Sequence, residues 1–135
     1  MKKLLTLNND VQQVELLADY IDAIADEGGL DPALAMSLNL ALEEAVANVI
    51  LYAYPEGSQG TVDILTTVDN GLLTFVISDS GKPFDPTVQA DADITLGVEE
   101  RPIGGLGIYL VRQIMDTVVY ERREGQNILT LTKKL

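Results

Sequence analysis

The apolar positions of this chain change period several times, and each change marks an element. "KKLLTLN" (2–8) alternates and predicts a short strand. From Asn9 or Asp10, either able to cap a helix, Val14, Leu17, Ile21 and Ile24 recur at helical steps until Gly28 and Gly29 end the pattern. Asp31 followed by Pro32 sets a second start, a capping side chain with proline in the first helical position. "ALAMSLNLALEEAVANVILYAY" then continues as helix to Pro55, with Leu38, Ala41, Leu42, Ala45, Val49 and Ala53 as its buried stripe. "TVDILTTV" and "LLTFVISD" alternate again, and "DNG" between them predicts a tight hairpin.

At Ser80 the periodicity stops. The stretch to Ile103 holds three prolines, glycines and scattered acids, and connections of that length are functional lids or unstructured. The expected lid covers about residues 87–103. "GGLGIYLVRQIMD" then opens on glycines and becomes a helix with Ile108, Val111 and Met115 on one face. "VVYERRE" and "NILTLTKK" close the chain as a hairpin across Gly125. The neighbouring strand pairs predict an α+β two-layer sandwich: a mostly antiparallel mixed sheet of about five strands, with three helices on one face. At 135 residues, the expected organisation is a single domain over 1–135.

Composition narrows the function classes. With no cysteine and no histidine, the chain holds no thiolate metal site, no imidazole ligand and no Ser-His or Cys-His nucleophile pair. Twenty-one acids against nine bases leave a net charge of −12, which repels phosphodiester backbones and anionic lipid. Neither nucleic acid nor a membrane is therefore an expected partner. The opening "MKKLLTLNND" has too short an apolar run for a signal peptide, and no stretch is expected to span a membrane. The expected compartment is the cytoplasm.

Three stretches are candidates for chemistry. In "EEAVANVILYAY", Glu44 and Asn48 lie four apart and share one helix face. They read either as polar residues at a solvent edge or as part of a magnesium-nucleotide site, because an amide oxygen can ligate a hard cation and a carboxylate can take a proton from an attacking hydroxyl. Glu43, one residue away, points about 100° round the helix and reads as a solvated charge. In "SDSGKPFDP", Asp79 ends an apolar strand with Gly81 just after it. That pair is either a turn bonding its own backbone or an acceptor for an exocyclic amine, with glycine allowing a flat ring close to the chain. In "IGGLGIYLV", glycines at a helix mouth expose backbone N–H groups suited to phosphate, although neither a Walker A loop nor a dinucleotide fingerprint is present.

Taken in order, these stretches resemble the motif series of the histidine-kinase-like ATPase superfamily, whose domain is the Bergerat ATP-binding fold. Glu44 and Asn48 match its N box, "DSGKPFDP" its first glycine box and "GGLGIYLVRQIMD" its second. "EEAVANVILYAYPEG" and the "FDP" after Asp-x-Gly are similar to the anti-sigma regulatory factor group of bacterial serine kinases, and the resemblance spans essentially the whole chain. It implies ATP and Mg²⁺ as cofactors, with Asn48 holding magnesium and Glu44 as general base. Asp79 would read adenine beside Gly81, Gly105, Leu106 and Gly107 would cradle phosphate, and Thr130 would support the adenine from the last strand.

The resemblance also implies partners: an anti-sigma-factor antagonist as phosphorylation substrate, a sigma factor sequestered in the alternate state, and a second copy of the chain. A nucleotide-gated binding module without catalysis, or a detached histidine-kinase catalytic domain, would use the same motifs. Two departures from the group stand out. Tyr52 sits where its N box often continues to histidine, and Ile103 and Gly104 sit where some members carry a base. Phosphoryl transfer draws on cations, and the lid offers only Arg101.

Overall fold

The computed structural model describes residues 1–88 and 107–135. Gly105, Leu106 and the expected lid beyond Val88 lie outside the described residues. Eight main elements follow the chain: β1 (Lys2–Asn8), α1 (Leu16–Gly28), α2 (Pro32–Tyr52), β2 (Thr61–Asp69), β3 (Leu72–Asp79), α3 (Gly107–Ile114), β4 (Thr117–Arg123) and β5 (Gln126–Lys134). The first expected helix opens differently from its pattern. Asp10 does cap it, its Oδ1 accepting from Gln12 N at 3.0 Å, but residues Val11–Glu15 form a 3₁₀ turn before α1 begins. Gln13 Oε1 accepts from Asn8 N at 3.1 Å, so this entry is held to the end of β1.

The five strands form one sheet in the order β1-β2-β3-β5-β4, and each described pairing is antiparallel. Asn70 and Gly71 both take positive φ, the backbone shape that a two-residue hairpin turn requires. The last strand is inserted: β5 lies between β3 and β4, so the chain leaving β3 crosses to the edge through α3. This crossover sets Asn127 directly opposite Asp79.

One sheet face is the core. Leu7, Val62, Ile64, Leu73, Phe75, Ile77, Leu129 and Leu131 are buried with the apolar faces of the helices. The Tyr20 hydroxyl of α1 bonds Thr66 Oγ1 at 2.7 Å and Ile64 O at 3.1 Å, fastening that helix to β2. All six expected stripe residues of α2 are buried, and so are Val46 and Ile50 on its other side. The helix is apolar nearly all round because it packs against both α1 and α3 as well as the sheet. By length and composition α2 would be able to cross a membrane, contrary to the expectation that no stretch could, yet half of it is buried within the fold as a core helix.

Candidate functional site

The site is built on α2. Glu44, Asn48 and Tyr52 recur every fourth residue along one face of this continuous helix. Asn48 is only 5 % exposed, a polar side chain within an apolar layer. Glu44 is half-buried, and its carboxyl is pushed above the ordinary range, first by burial and then by the neighbouring Glu43 charge. Glu43 itself faces another way: its Oε1 accepts from Asn39 Nδ2 at 3.1 Å, one turn earlier on α2. Glu43 is therefore engaged on a separate face from Glu44.

Asp79 stands at the end of β3 on the core side of the sheet and is 3 % exposed. Its Oδ1 accepts two bonds, from Gly81 N at 2.8 Å and from Asn127 Nδ2 at 3.0 Å. Its Oδ2 is buried and has no hydrogen-bond partner among the described residues. Burial raises the pKa, opposed by the bonds from Asn127 and Gly81 and by the charge of Arg122. A buried acceptor left open costs stability. That cost is sensible where a ligand donor completes the set.

Gly81 brings this strand end to α2. A Cβ built there would lie 2.4 Å from the carbonyl oxygen of Ala53, so only glycine fits. Lys82 N donates to that same oxygen at 2.8 Å, and Ser80 N donates to the Tyr54 hydroxyl at 3.1 Å. Beyond the turn, Phe84 packs on Tyr52 with ring centroids 5.4 Å apart. The tyrosine at the N-box position thus ties α2 to the segment after Asp79.

Asn127 is the site residue that sequence reasoning missed. It is 4 % exposed; besides Asp79, its Nδ2 donates to Lys82 O at 2.8 Å. Its Oδ1 accepts from Phe84 N at 3.2 Å and from the Tyr120 hydroxyl at 2.5 Å. Only the strand insertion reveals this, although an asparagine heading an apolar alternating run was a signal. Thr130, expected to support adenine, does not join the group. It pairs with Val76 and lies an odd number of residues from Asn127, so it points to the opposite sheet face. Arg122, also unforeseen, donates to Gly81 O at 2.9 Å. Gly107 is the first residue of α3, and α3 packs on α2; Gly105 and Leu106 lie outside the described residues.

Asp79 Oδ2 is an unfilled acceptor suited to an exocyclic amine, one helix packing away from a carboxylate and an amide on α2. Among the described residues, no cluster of three acids would hold a metal ion alone. Magnesium does not need one, because it commonly keeps its waters and takes one or two protein ligands plus phosphates.

Comparison with known proteins bears on the family and the fold. The profile of the family described as "Histidine kinase-like ATPase domain" matches residues 7–133. A serine/threonine-protein kinase BtrW from Bordetella bronchiseptica is 27 % identical over 113 residues, covering 84 % of this chain and 80 % of that protein. A serine-protein kinase RsbW from Bacillus cereus is 30 % identical over 96 residues, covering 68 % of this chain but only 59 % of its own length. Among solved structures, the RsbU and RsbW domains of Rv1364c from Mycobacterium tuberculosis superpose with a TM-score of 0.71 at 15 % identity, over 100 % of this chain and 32 % of that one. The catalytic domain of histidine kinase ThkA gives 0.55 at 15 % identity, over 98 % and 97 % of the two chains. Those two likenesses concern the fold alone.

Proposed function

Because this chain belongs to the histidine kinase-like ATPase family, we propose that it binds magnesium-ATP between α2 and the end of β3 and phosphorylates a serine of a small anti-sigma-factor antagonist. One observation carries the nucleotide part: among the described residues Asp79 Oδ2 is a buried acceptor without a partner, at the strand end docked on α2. The serine-kinase names of the BtrW and RsbW relatives support the transfer.

In this reading Asp79 accepts from the adenine amine while Asn127 and Gly81 hold its other oxygen. Asn48 offers its amide oxygen to the magnesium ion. Gly105, Leu106 and Gly107 contribute backbone N–H groups to the phosphates, Gly107 being the first residue of α3. Bound magnesium-ATP supplies the phosphoryl group and part of the positive charge that its transfer requires. Glu44 takes the proton of the substrate hydroxyl as the serine oxygen bonds to phosphorus and the bond to ADP breaks. Its raised pKa makes it a better proton acceptor than an ordinary surface glutamate. When the antagonist is phosphorylated and released, the same chain sequesters a sigma factor. The setting is the cytoplasm, and the strongly acidic surface suits a partner with a basic face.

Three variants test the roles, using nucleotide titration and a phosphorylation assay with the cognate antagonist. Asn48→Ala should lower ATP affinity and turnover together. Glu44→Gln should still bind ATP while transfer falls by about 10²–10⁴-fold. Glu43→Gln, on the Asn39 face, should leave both close to wild type. Equal effects of the two glutamate variants would remove the base from this helix face. An active nucleotide site with no transfer to any bound antagonist would replace the kinase by a nucleotide-gated binding module.

A further inference from the structure

A cavity of about 560 Å³ lies between the C-terminal half of α1 and the N-terminal half of α2, a volume usual for small-molecule sites. Ile21, Ala25, Leu30, Ala35 and Met36 give it an apolar lining. Ile21 and Ala35 are buried, while Met36 stands 76 % exposed at the edge. None of the residues assigned above to adenine, magnesium or phosphate lines it.

The three polar residues of the lining, Asp22, Asp26 and Asn39, all present acceptors. Asp22 and Asp26 are four apart on α1 and so share one face, both open to solvent. Asn39 belongs to α2, where its Nδ2 donates to Glu43 Oε1 at 3.1 Å. That bond fixes the amide, since turning it over would set two oxygens against each other. Asn39 Oδ1 is therefore the atom left over, buried and without a hydrogen-bond partner among the described residues. A buried acceptor left open asks for a donor. The surrounding charge has one sign: Asp19, Asp22, Asp26 and Glu27 on α1, Glu43 and Glu44 on α2, and no base on either helix. Among the described residues Lys3 bridges Glu27 at 2.8 Å, outside the lining, and no base bridges Asp22 or Asp26.

We infer that this cavity binds a small aliphatic polyamine, with ammonium groups on Asp22, Asp26 and Asn39 and the methylene stem on the apolar floor. A primary ammonium brings three donors and no acceptor, which complements three acceptors on two facing helices. A bare metal ion would leave the apolar lining uncovered, and no described group of three acids is placed to hold one. The cavity is larger than a single lysine or arginine side chain, which favours a free molecule over a side chain inserted by a protein. A net charge of −12 adds a long-range attraction for polycations. The inference does not depend on the nucleotide reading.

Calorimetric titration of the full chain with spermidine, without nucleotide and in about 0.15 M salt to screen diffuse charge, tests it. One spermidine should bind per chain with a Kd below about 1 mM. Asp22→Asn combined with Asp26→Asn should weaken binding by about tenfold, and Asn39→Leu by a similar factor of about ten, with thermal melting confirming that each variant folds. Glu56→Gln combined with Asp69→Asn removes the same charge from exposed positions outside the lining and should leave the affinity unchanged. Asp79→Asn should also bind spermidine like the wild type, so failure of the nucleotide site and failure of this one are distinguishable. No saturable binding up to about 10 mM, equal weakening by the two charge-removing pairs, equal binding of uncharged hexanediol, or tighter capture of tetralysine than of spermidine would each overturn the inference.

Discussion

Replacing Asp79 with asparagine separates a ligand acceptor from a structural anchor. In the folded chain burial dominates at this carboxyl and holds its pKa above the ordinary aspartate value. The folded state therefore keeps its proton to higher pH than the unfolded chain, and stability falls as pH rises through that window. Above that window the ionised carboxyl, its Oδ2 without a hydrogen-bond partner among the described residues, is a standing cost. An asparagine keeps Oδ1 for Gly81 N and Asn127 Nδ2 and removes the charge. Its own amide NH₂ would lack an acceptor, but an unpaired neutral group costs less than an unpaired charge.

Without nucleotide, Asp79→Asn should melt no lower than wild type at pH 7, and the difference should shrink in acid as the wild-type carboxyl is protonated. Nucleotide binding should move the other way. A hydrogen bond to a charged acceptor contributes about 1.5–3 kcal/mol, so ATP affinity should fall by about 10–150-fold. The preference for ATP over GTP should narrow too, because an amide can donate to the guanine carbonyl. Differential scanning calorimetry at pH 5 and 7, paired with calorimetric titration of both nucleotides, reads each quantity. A variant that melts well below wild type at pH 7 while binding ATP normally would refute the reasoning, leaving Asp79 as a turn-forming residue.

Four further outcomes are expected. Wild-type ATP affinity should weaken as pH falls through the raised pKa of Asp79, because protonation removes the acceptor, whereas Asp79→Asn should show a flatter profile. Asn127→Ala leaves Asp79 Oδ1, Lys82 O, Phe84 N and the Tyr120 hydroxyl short of partners, and thermal melting should report a loss of about 2–4 kcal/mol with weaker ATP binding. Gly81→Ala drives a methyl group to 2.4 Å from the Ala53 carbonyl oxygen, and should destabilise by about 1–3 kcal/mol in the same assay while displacing Asp79 from α2. Thr130→Val, on the far sheet face, should leave ATP affinity within about twofold of wild type in calorimetric titration.

Much of this molecule was legible along the chain because local rules act over a few residues. Asp31-Pro32 starting α2, Asn70-Gly71 closing the hairpin, and the alternation of β2, β3 and β5 each follow from backbone preference and side-chain period. So does the placing of Glu44 and Asn48 on one face, since an unbroken helix leaves no other arrangement. What sequence spacing could not determine was which strands become neighbours. Strand order is decided by how the helices cover the sheet and by where the crossover lands, and both are long-range packing choices. Inserting β5 beside β3 made Asn127 the partner of Asp79 and turned Thr130 to the opposite sheet face. The same packing set the glycine after Asp79 against the end of α2, where Ala53 leaves no room for a side chain. Residue types and their local order were enough to single out Glu44, Asn48, Asp79 and Gly81, but not Asn127 or Arg122. Only the folded sheet decided which of them meet, because a contact between residues 79 and 127 has no trace in either segment alone.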